Sequence, residues 1–244
     1  MRVKIKNKKE VAAGTLRVEF DTGENKVDFK PGQHMVVTLI NPSETDAEGN
    51  SRYFSIVNSP FLKSNVLAIT TRLRNTAFKR ALKNLPIGAE VEIDQIGGNF
   101  VLPGETTVPL GFITGGIGIT PFMSMLSYIT EVSLAYNITL LYSNRDKAST
   151  AYFDYLTDLA QKNKNIKVVF VMTQDPSWDG ETKHIDSSVI KKYFSNPNDF
   201  IYYIAGPPKM VRAAYQAVVD SGVNPSHIKT ENFDGYETQV SRLT

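Results

Sequence analysis

Leu110-Gly111-Phe112-Ile113-Thr114-Gly115-Gly116-Ile117-Gly118-Ile119-Thr120-Pro121 is the stretch whose reading decides the fold. A short apolar run leads straight into three closely spaced glycines and then into a segment of helical character, Thr120 to Ile129. Strand, glycine turn and helix in that order make a first βα unit, and such a turn suits a dinucleotide pyrophosphate. Glycine lets the backbone take positive φ and approach a ligand, while free N–H groups at a helix start face an anion. Thr120 suits a helix cap and Pro121 a first helical position. The spacing is not the Rossmann fingerprint, and taken alone the turn serves equally well as a purely structural bend.

C-terminal to this unit the same rhythm continues. Strands are expected at Ile138 to Tyr142, Ile166 to Met172 and Phe200 to Ala205, and helices at Ala151 to Gln161, Ser187 to Phe194 and Pro208 to Ser221. Alternating β and α elements imply a parallel sheet with helices on both faces. N-terminal to it the pattern is different. Short strands at Val3 to Lys6, Gly14 to Asp21, His34 to Ile40, Arg52 to Val57, Val66 to Leu73 and Glu90 to Ile96 are separated by Gly, Pro, Asn and Asp turns, with one short helix near Thr76 to Lys83. That half reads as an antiparallel barrel or sandwich. The expectation is therefore a β-barrel domain over residues 1–104 and an α/β domain over 105–244, joined near Leu102-Pro103-Gly104-Glu105.

Composition narrows the chemistry. The 244 residues include no cysteine, which removes disulfides, thiol nucleophiles and a cysteine-held iron–sulfur cluster. His34, His184 and His227 lack the local spacings that metal sites favour, so no metal is expected. A net charge of +2 and a basic N-terminus that alternates Val3 and Ile5 with Lys4 and Lys6 argue against nucleic acid. No apolar stretch approaches the ~20 residues that span a bilayer, so no membrane insertion and a cytoplasmic location are expected.

A second motif sharpens the reading. Gly115 to Pro121, followed 85 positions after Pro121 by Gly206-Pro207-Pro208-Lys209-Met210, resembles the paired nicotinamide-domain motifs of the ferredoxin-NADP reductase superfamily. The resemblance implies that Gly115, Gly116, Ile117, Gly118, Thr120 and Pro121 hold the dinucleotide pyrophosphate, and that Gly206, Pro207 and Met210 lie beside the nicotinamide. Family members often carry cysteine before the second Gly-Pro; here Ala205 stands there. In the first half, Arg52-Tyr53-Phe54-Ser55 resembles the family's R-x-Y-S flavin motif, although alone it also reads as a core strand. By resemblance Arg52 pairs with the FAD pyrophosphate, Phe54 stacks on the isoalloxazine, Ser55 sits near flavin N5, and Tyr53 joins the cofactor set. Ile69, Thr70 and Thr71 on the next strand, and Asn75, Thr76 and Ala77 at the short helix, complete it. Phe29 to Gln33 and Gly98-Asn99-Phe100 resemble family turns of the barrel, and Thr230 to Tyr236 resembles its C-terminal segment, which implies Glu231 for proton transfer and Phe233 for the second flavin face.

The resemblance thus implies an FAD-dependent oxidoreductase in which hydride from NAD(P)H reaches FAD and electrons pass to an unidentified acceptor, such as a small redox protein, a ferric complex or another oxidant. Ser143, Asn144 and Arg145 follow the second α/β strand, where the family distinguishes NADPH from NADH. With no acidic residue at that strand end, the expectation leans to NADPH. The alternatives are a ferric-siderophore or free-flavin reductase, and, from another class, an electron-transfer subunit or flavin-binding regulator that is inert alone.

Overall fold

The computed structural model describes residues 1–61, 65–104 and 106–233, and they form two compact units. The first comprises Met1–Leu102 with Thr120–Leu134, and the second Pro103–Ile119 with the chain from Ala135 onward.

In the first unit the strands are β1 (Arg2–Ala12), β2 (Thr15–Asp21), β3 (His34–Leu39), β4 (Ser51–Ser55), β5 (Val66–Arg72) and β6 (Glu90–Gly97), with helix α1 (Ala77–Asn84) between the last two. They pair antiparallel in the order β4-β3-β6-β1-β2-β5. Val3 and Ile5 are buried while Lys4 and Lys6 face solvent, as alternation demands of a strand with one wet face. The inward residues, among them Val18, Phe20, Met35, Leu67 and Ile93, form one apolar core with Phe78 and Leu82 of α1.

The expected strand Arg52 to Val57 stops at Ser55 for a specific reason. Ile56 N–H donates to the Gln33 carbonyl, and Val57 N–H crosses to the Ala68 carbonyl of β5, both at 2.9 Å. The Asn58 carboxamide adds a bond to the Val66 carbonyl and one from the Ala68 amide, so this segment links the two edge strands and closes the barrel. Helix α2 (Thr120–Glu131) packs within this unit. Ser124 Oγ donates to the Asn58 carbonyl at 2.8 Å, and Gly32, at φ +96°, lies where a Cβ would stand 2.2 Å from the Phe100 carbonyl oxygen.

The second unit is a five-stranded parallel sheet in the order β11-β10-β7-β8-β9. Its strands are β7 (Leu110–Gly115), β8 (Ile138–Asn144), β9 (Ile166–Met172), β10 (Ile201–Gly206) and β11 (Ile228–Asn232), and its helices α3 (Phe153–Lys162), α4 (Ser187–Tyr193) and α5 (Pro208–Val219). Every residue of the central β7 is buried, which is why it reads as an apolar run rather than an alternation. Helices α4 and α5 close one face through Val189, Ile190, Val211 and Ala214 against Ile113 and Ile204. Helix α3 starts two residues later than expected because Tyr152 takes φ +62°, outside helical geometry. Among the described residues, no helix is long and apolar enough to cross a membrane, and no three His, Asp or Glu side chains gather as metal ligands.

Candidate functional site

Each unit carries one cluster of the residues singled out by the sequence. In the first, β4 sends Arg52 and Phe54 to one side, where both meet the start of α1. The Phe54 and Phe78 ring centroids are 5.8 Å apart, and the Arg52 guanidinium lies 5.2 Å from the Phe78 ring. Thr76 caps α1, its hydroxyl accepting from Lys79 N–H, so the helix N-terminus opens beside Arg52. Lys79 stands half-buried among cations: burial first, then Arg74, Arg52 and Arg72, lower its ammonium to about 8, against a smaller opposing effect of Glu48. Such crowding of positive charge is unfavourable by itself and suits an anion.

That seat already holds a carboxylate. Asp46 Oδ1 accepts from Arg52 Nη2 at 2.8 Å and from Glu48 N–H at 3.1 Å, and the Ala77 amide, first in α1, also donates to the Asp46 carboxylate. Burial raises the Asp46 carboxyl, but the Arg52, Glu48 and Ala77 hydrogen bonds outweigh it and hold the group below the ordinary range. Neither Asp46 nor Lys79 was singled out by sequence reasoning. Lys79 was legible, lying two residues past Ala77, whereas Asp46 precedes α1 by two strands, β4 and β5.

The remaining expected flavin residues divide. Ser55 is buried at the end of β4. Tyr53 does not join Arg52 and Phe54: it faces the other side of the strand, 64% exposed, with its hydroxyl donating to Gln95 Oε1 and its ring edge-on to His34. Strand alternation requires this of a residue between two that share a face. Ile69 packs in the barrel core, and Thr70 and Thr71 are equally buried on β5. Asn75 is fixed at the mouth of α1 by Arg80 Nη1, at 2.6 Å.

In the second unit the two glycine motifs meet. Gly116, at φ +55°, begins a 3₁₀ turn through Ile119 that runs directly into α2, so Thr120 lies inside the helical run rather than capping it. A Cβ on Gly118 would stand 2.3 Å from the Ala205 carbonyl oxygen, 2.6 Å from Gly206 Cα and 2.6 Å from Thr114 Oγ1. Thr114 Oγ1 itself donates to that Ala205 carbonyl at 2.9 Å, and Tyr142, wholly buried, donates its hydroxyl to the Gly116 carbonyl at 2.9 Å. Met210 lies over the junction, 3.2 Å from where a Gly115 Cβ would be and 3.5 Å from the corresponding Gly206 position. The side chains of Ile117, Thr120 and Pro121 are buried, leaving Gly116 as the motif's partly exposed backbone. An absent Cβ at Gly118 and two buried hydroxyls therefore hold the turn's shape.

Strand β11 adds the C-terminal residues. It pairs parallel with β10, placing Glu231 opposite Ala205, and Phe233 N–H donates to the Gly206 carbonyl at 2.9 Å. Asp234, Gly235 and Tyr236, the end of the expected segment, lie outside the described residues, as does Glu105 of the expected linker. At the end of β8, Ser143 is half-buried, Asn144 is buried with its Nδ2 lacking a hydrogen-bond acceptor, and Arg145 is exposed. The nearby Asp146 carboxylate turns inward to accept from Ser149 N–H at 2.7 Å.

Known proteins share this construction. Residues 112–216 match the oxidoreductase NAD-binding domain. The chain is 26% identical over 227 residues to the anthranilate 1,2-dioxygenase electron transfer component of Acinetobacter baylyi, covering 91% of this chain and 64% of that protein. It is 27% identical over 208 residues to the sulfhydrogenase 1 subunit gamma of Pyrococcus furiosus, covering 83% and 68%. The chain thus spans only about two thirds of the length of these relatives. Among solved structures, a ferredoxin NADP⁺ reductase from Neisseria gonorrhoeae with bound FAD and NADP superimposes with a TM-score of 0.80 at 21% identity, covering 95% of this chain and 98% of that one. Residues 112–216 thus match the oxidoreductase NAD-binding domain, and the chain shares the fold of the Neisseria gonorrhoeae ferredoxin NADP⁺ reductase.

Proposed function

We propose that this chain is an FAD-dependent reductase that draws hydride from NAD(P)H and passes electrons to a separate acceptor, a small redox protein being the first candidate. The observation that carries the reading is the anion seat at α1. A guanidinium and a helix-terminal amide already bind a carboxylate there, a crowded lysine follows on the same helix, and these cations and donors fit the oxygens of a flavin diphosphate. Bound FAD supplies the chemistry, accepting a hydride as two electrons and releasing them together or singly. The chain's own residues bind and orient. Arg52 and the start of α1 hold the diphosphate, Phe54 offers a ring face, and Ser55 Oγ offers a proton to a ring nitrogen. Glu231 offers a carboxyl for proton transfer, and the Gly116 backbone, held by Tyr142, receives the dinucleotide pyrophosphate.

The free guanidinium of Arg145 favours NADPH. It forms no ion pair among the described residues, and the Asp146 carboxylate beside it is committed to its own turn rather than to a ribose. Turnover by the isolated chain with an artificial dye acceptor is expected, with kcat/KM for NADPH exceeding that for NADH by roughly tenfold, the worth of one charge-assisted hydrogen bond. Equal values for the two nucleotides would contradict the Arg145 assignment. No turnover with either would favour the second reading, an electron-transfer subunit inert without its partner, which the names of the two relatives above support.

Phe233, whose backbone N–H is held by the Gly206 carbonyl, is by the family resemblance the residue that covers the flavin face a nicotinamide takes, so its ring would compete for that surface. Phe233→Ser is expected to tighten NADP⁺ binding by roughly an order of magnitude, since stacking of a base on an aromatic is worth ~1–3 kcal/mol. Titration of NADP⁺ checks this. A lower melting temperature with unchanged nucleotide affinity would make Phe233 a packing residue instead.

A further inference from the structure

The Arg52 guanidinium is more heavily engaged than a residue waiting for a ligand requires. Its Nη2 meets Asp46 Oδ1 at 2.8 Å and Glu48 Oε2 at 3.1 Å, and its Nη1 donates to the carbonyls of Glu48, Gly49 and Ser51 at 3.0, 3.0 and 2.8 Å. All of these acceptors belong to Arg52's own approach, the segment that joins β3 to β4 and the first residue of β4, Ser51. The same segment is tied to α1 a second time: Glu44 makes a two-oxygen ion pair with Arg80, whose Nη1 also holds Asn75. Asp46 reaches both the guanidinium and the helix-terminal amide of Ala77.

We propose that Asp46 is an internal competitor for the flavin diphosphate, so that FAD loads by displacing the 41–50 segment from the start of α1. The inference rests on the reading of α1 as the diphosphate seat. A carboxylate and a phosphate present oxygens of like charge to the same planar fork and the same helix amides, so the two cannot hold these donors together. The diphosphate carries more charge and more acceptor oxygens and wins the exchange, but its net affinity is reduced by what the Asp46 contacts are worth. Those contacts are weak enough to exchange. The Arg52–Asp46 pair leaves the Asp46 side chain 32% exposed, and Glu48 is 69% exposed, so water and salt screen both. The segment turns at Asn41, φ +44°, and again at Gly49, φ +74°.

The opposite role is also physical: Asp46 could hold Arg52 in place for the flavin, and the two roles differ in sign. Apoprotein of wild type and of Asp46→Asn is titrated with FAD and with riboflavin, which lacks the diphosphate, and FAD association is followed by stopped flow. The competitor predicts roughly tenfold tighter and faster FAD binding by Asp46→Asn, with riboflavin affinity unchanged. Asp46→Ser, which also removes the charge, shows the same direction, and melting curves of both apoproteins confirm that they fold. Unchanged or weaker FAD binding by the variants, while wild type binds FAD far more tightly than riboflavin, overturns the competitor and leaves the diphosphate seat standing. Wild-type affinity for FAD no greater than for riboflavin overturns the seat, and the competitor with it.

Discussion

Gly118→Ala is expected to lower the melting temperature by roughly 6–12 °C and to abolish measurable NADP⁺ binding, corresponding to about 3 kcal/mol of overpacking. The added methyl has nowhere to go. Its three nearest neighbours are the Ala205 carbonyl, Gly206 Cα and Thr114 Oγ1, all within 2.6 Å, and the first two are backbone that no rotamer change can move aside. Either the 3₁₀ turn lifts from β10 or β10 shifts, and both break the Thr114–Ala205 hydrogen bond. A lifted turn also misdirects the Gly116 amide that is to face the pyrophosphate. Thermal melts with NADP⁺ titration decide it. A variant that melts with wild type and binds NADP⁺ normally would show that the two glycine motifs do not depend on their contact.

Arg52→Ala is expected to weaken FAD binding by about 100-fold or more, the worth of two charge-assisted hydrogen bonds at about 1.5–3 kcal/mol each. The loss has two parts. The fork that would grip the diphosphate disappears, and the carboxylate of Asp46, no longer neutralised, remains beside the start of α1 and repels an anion, as does that of Glu48 nearby. Arg52→Lys should fall between, because an ammonium keeps the charge but not the planar pair of donors. FAD titration into the apoproteins checks the series, and an Arg52→Ala affinity equal to wild type would remove Arg52 from the cofactor site.

Much of this was legible in the sequence because each half carries its own period. Strand β9 was read end to end as Ile166–Met172, and the alternation of Val3, Lys4, Ile5 and Lys6 gave the buried face of β1. What escaped depended on partners distant in the chain. Strand β11, Ile228-Lys-Thr-Glu-Asn, has little apolar content and exists because β10 offers it an edge. Strand β4 ends early because Val57 finds Ala68 rather than continuing along β3. The orientation of Tyr53, by contrast, was available from parity alone, since it alternates with Arg52 and Phe54. The carboxylate at α1 was not: Asp46 and Ala77 meet only once the barrel brings the β3–β4 loop to the helix. Likewise the sequence offered two glycine motifs but not the reason for pairing them, which is the missing Cβ of Gly118 against Ala205.

The central claim is that this chain binds FAD and reduces it with NAD(P)H. Protein reconstituted with FAD and freed of excess cofactor should be mixed anaerobically with NADPH, with no acceptor present, while the visible absorbance of the oxidised flavin is followed. Rapid bleaching of that band, with one equivalent of NADPH consumed per FAD, is the predicted result; protein that retains no FAD, or a band unchanged by both NADPH and NADH, would contradict it.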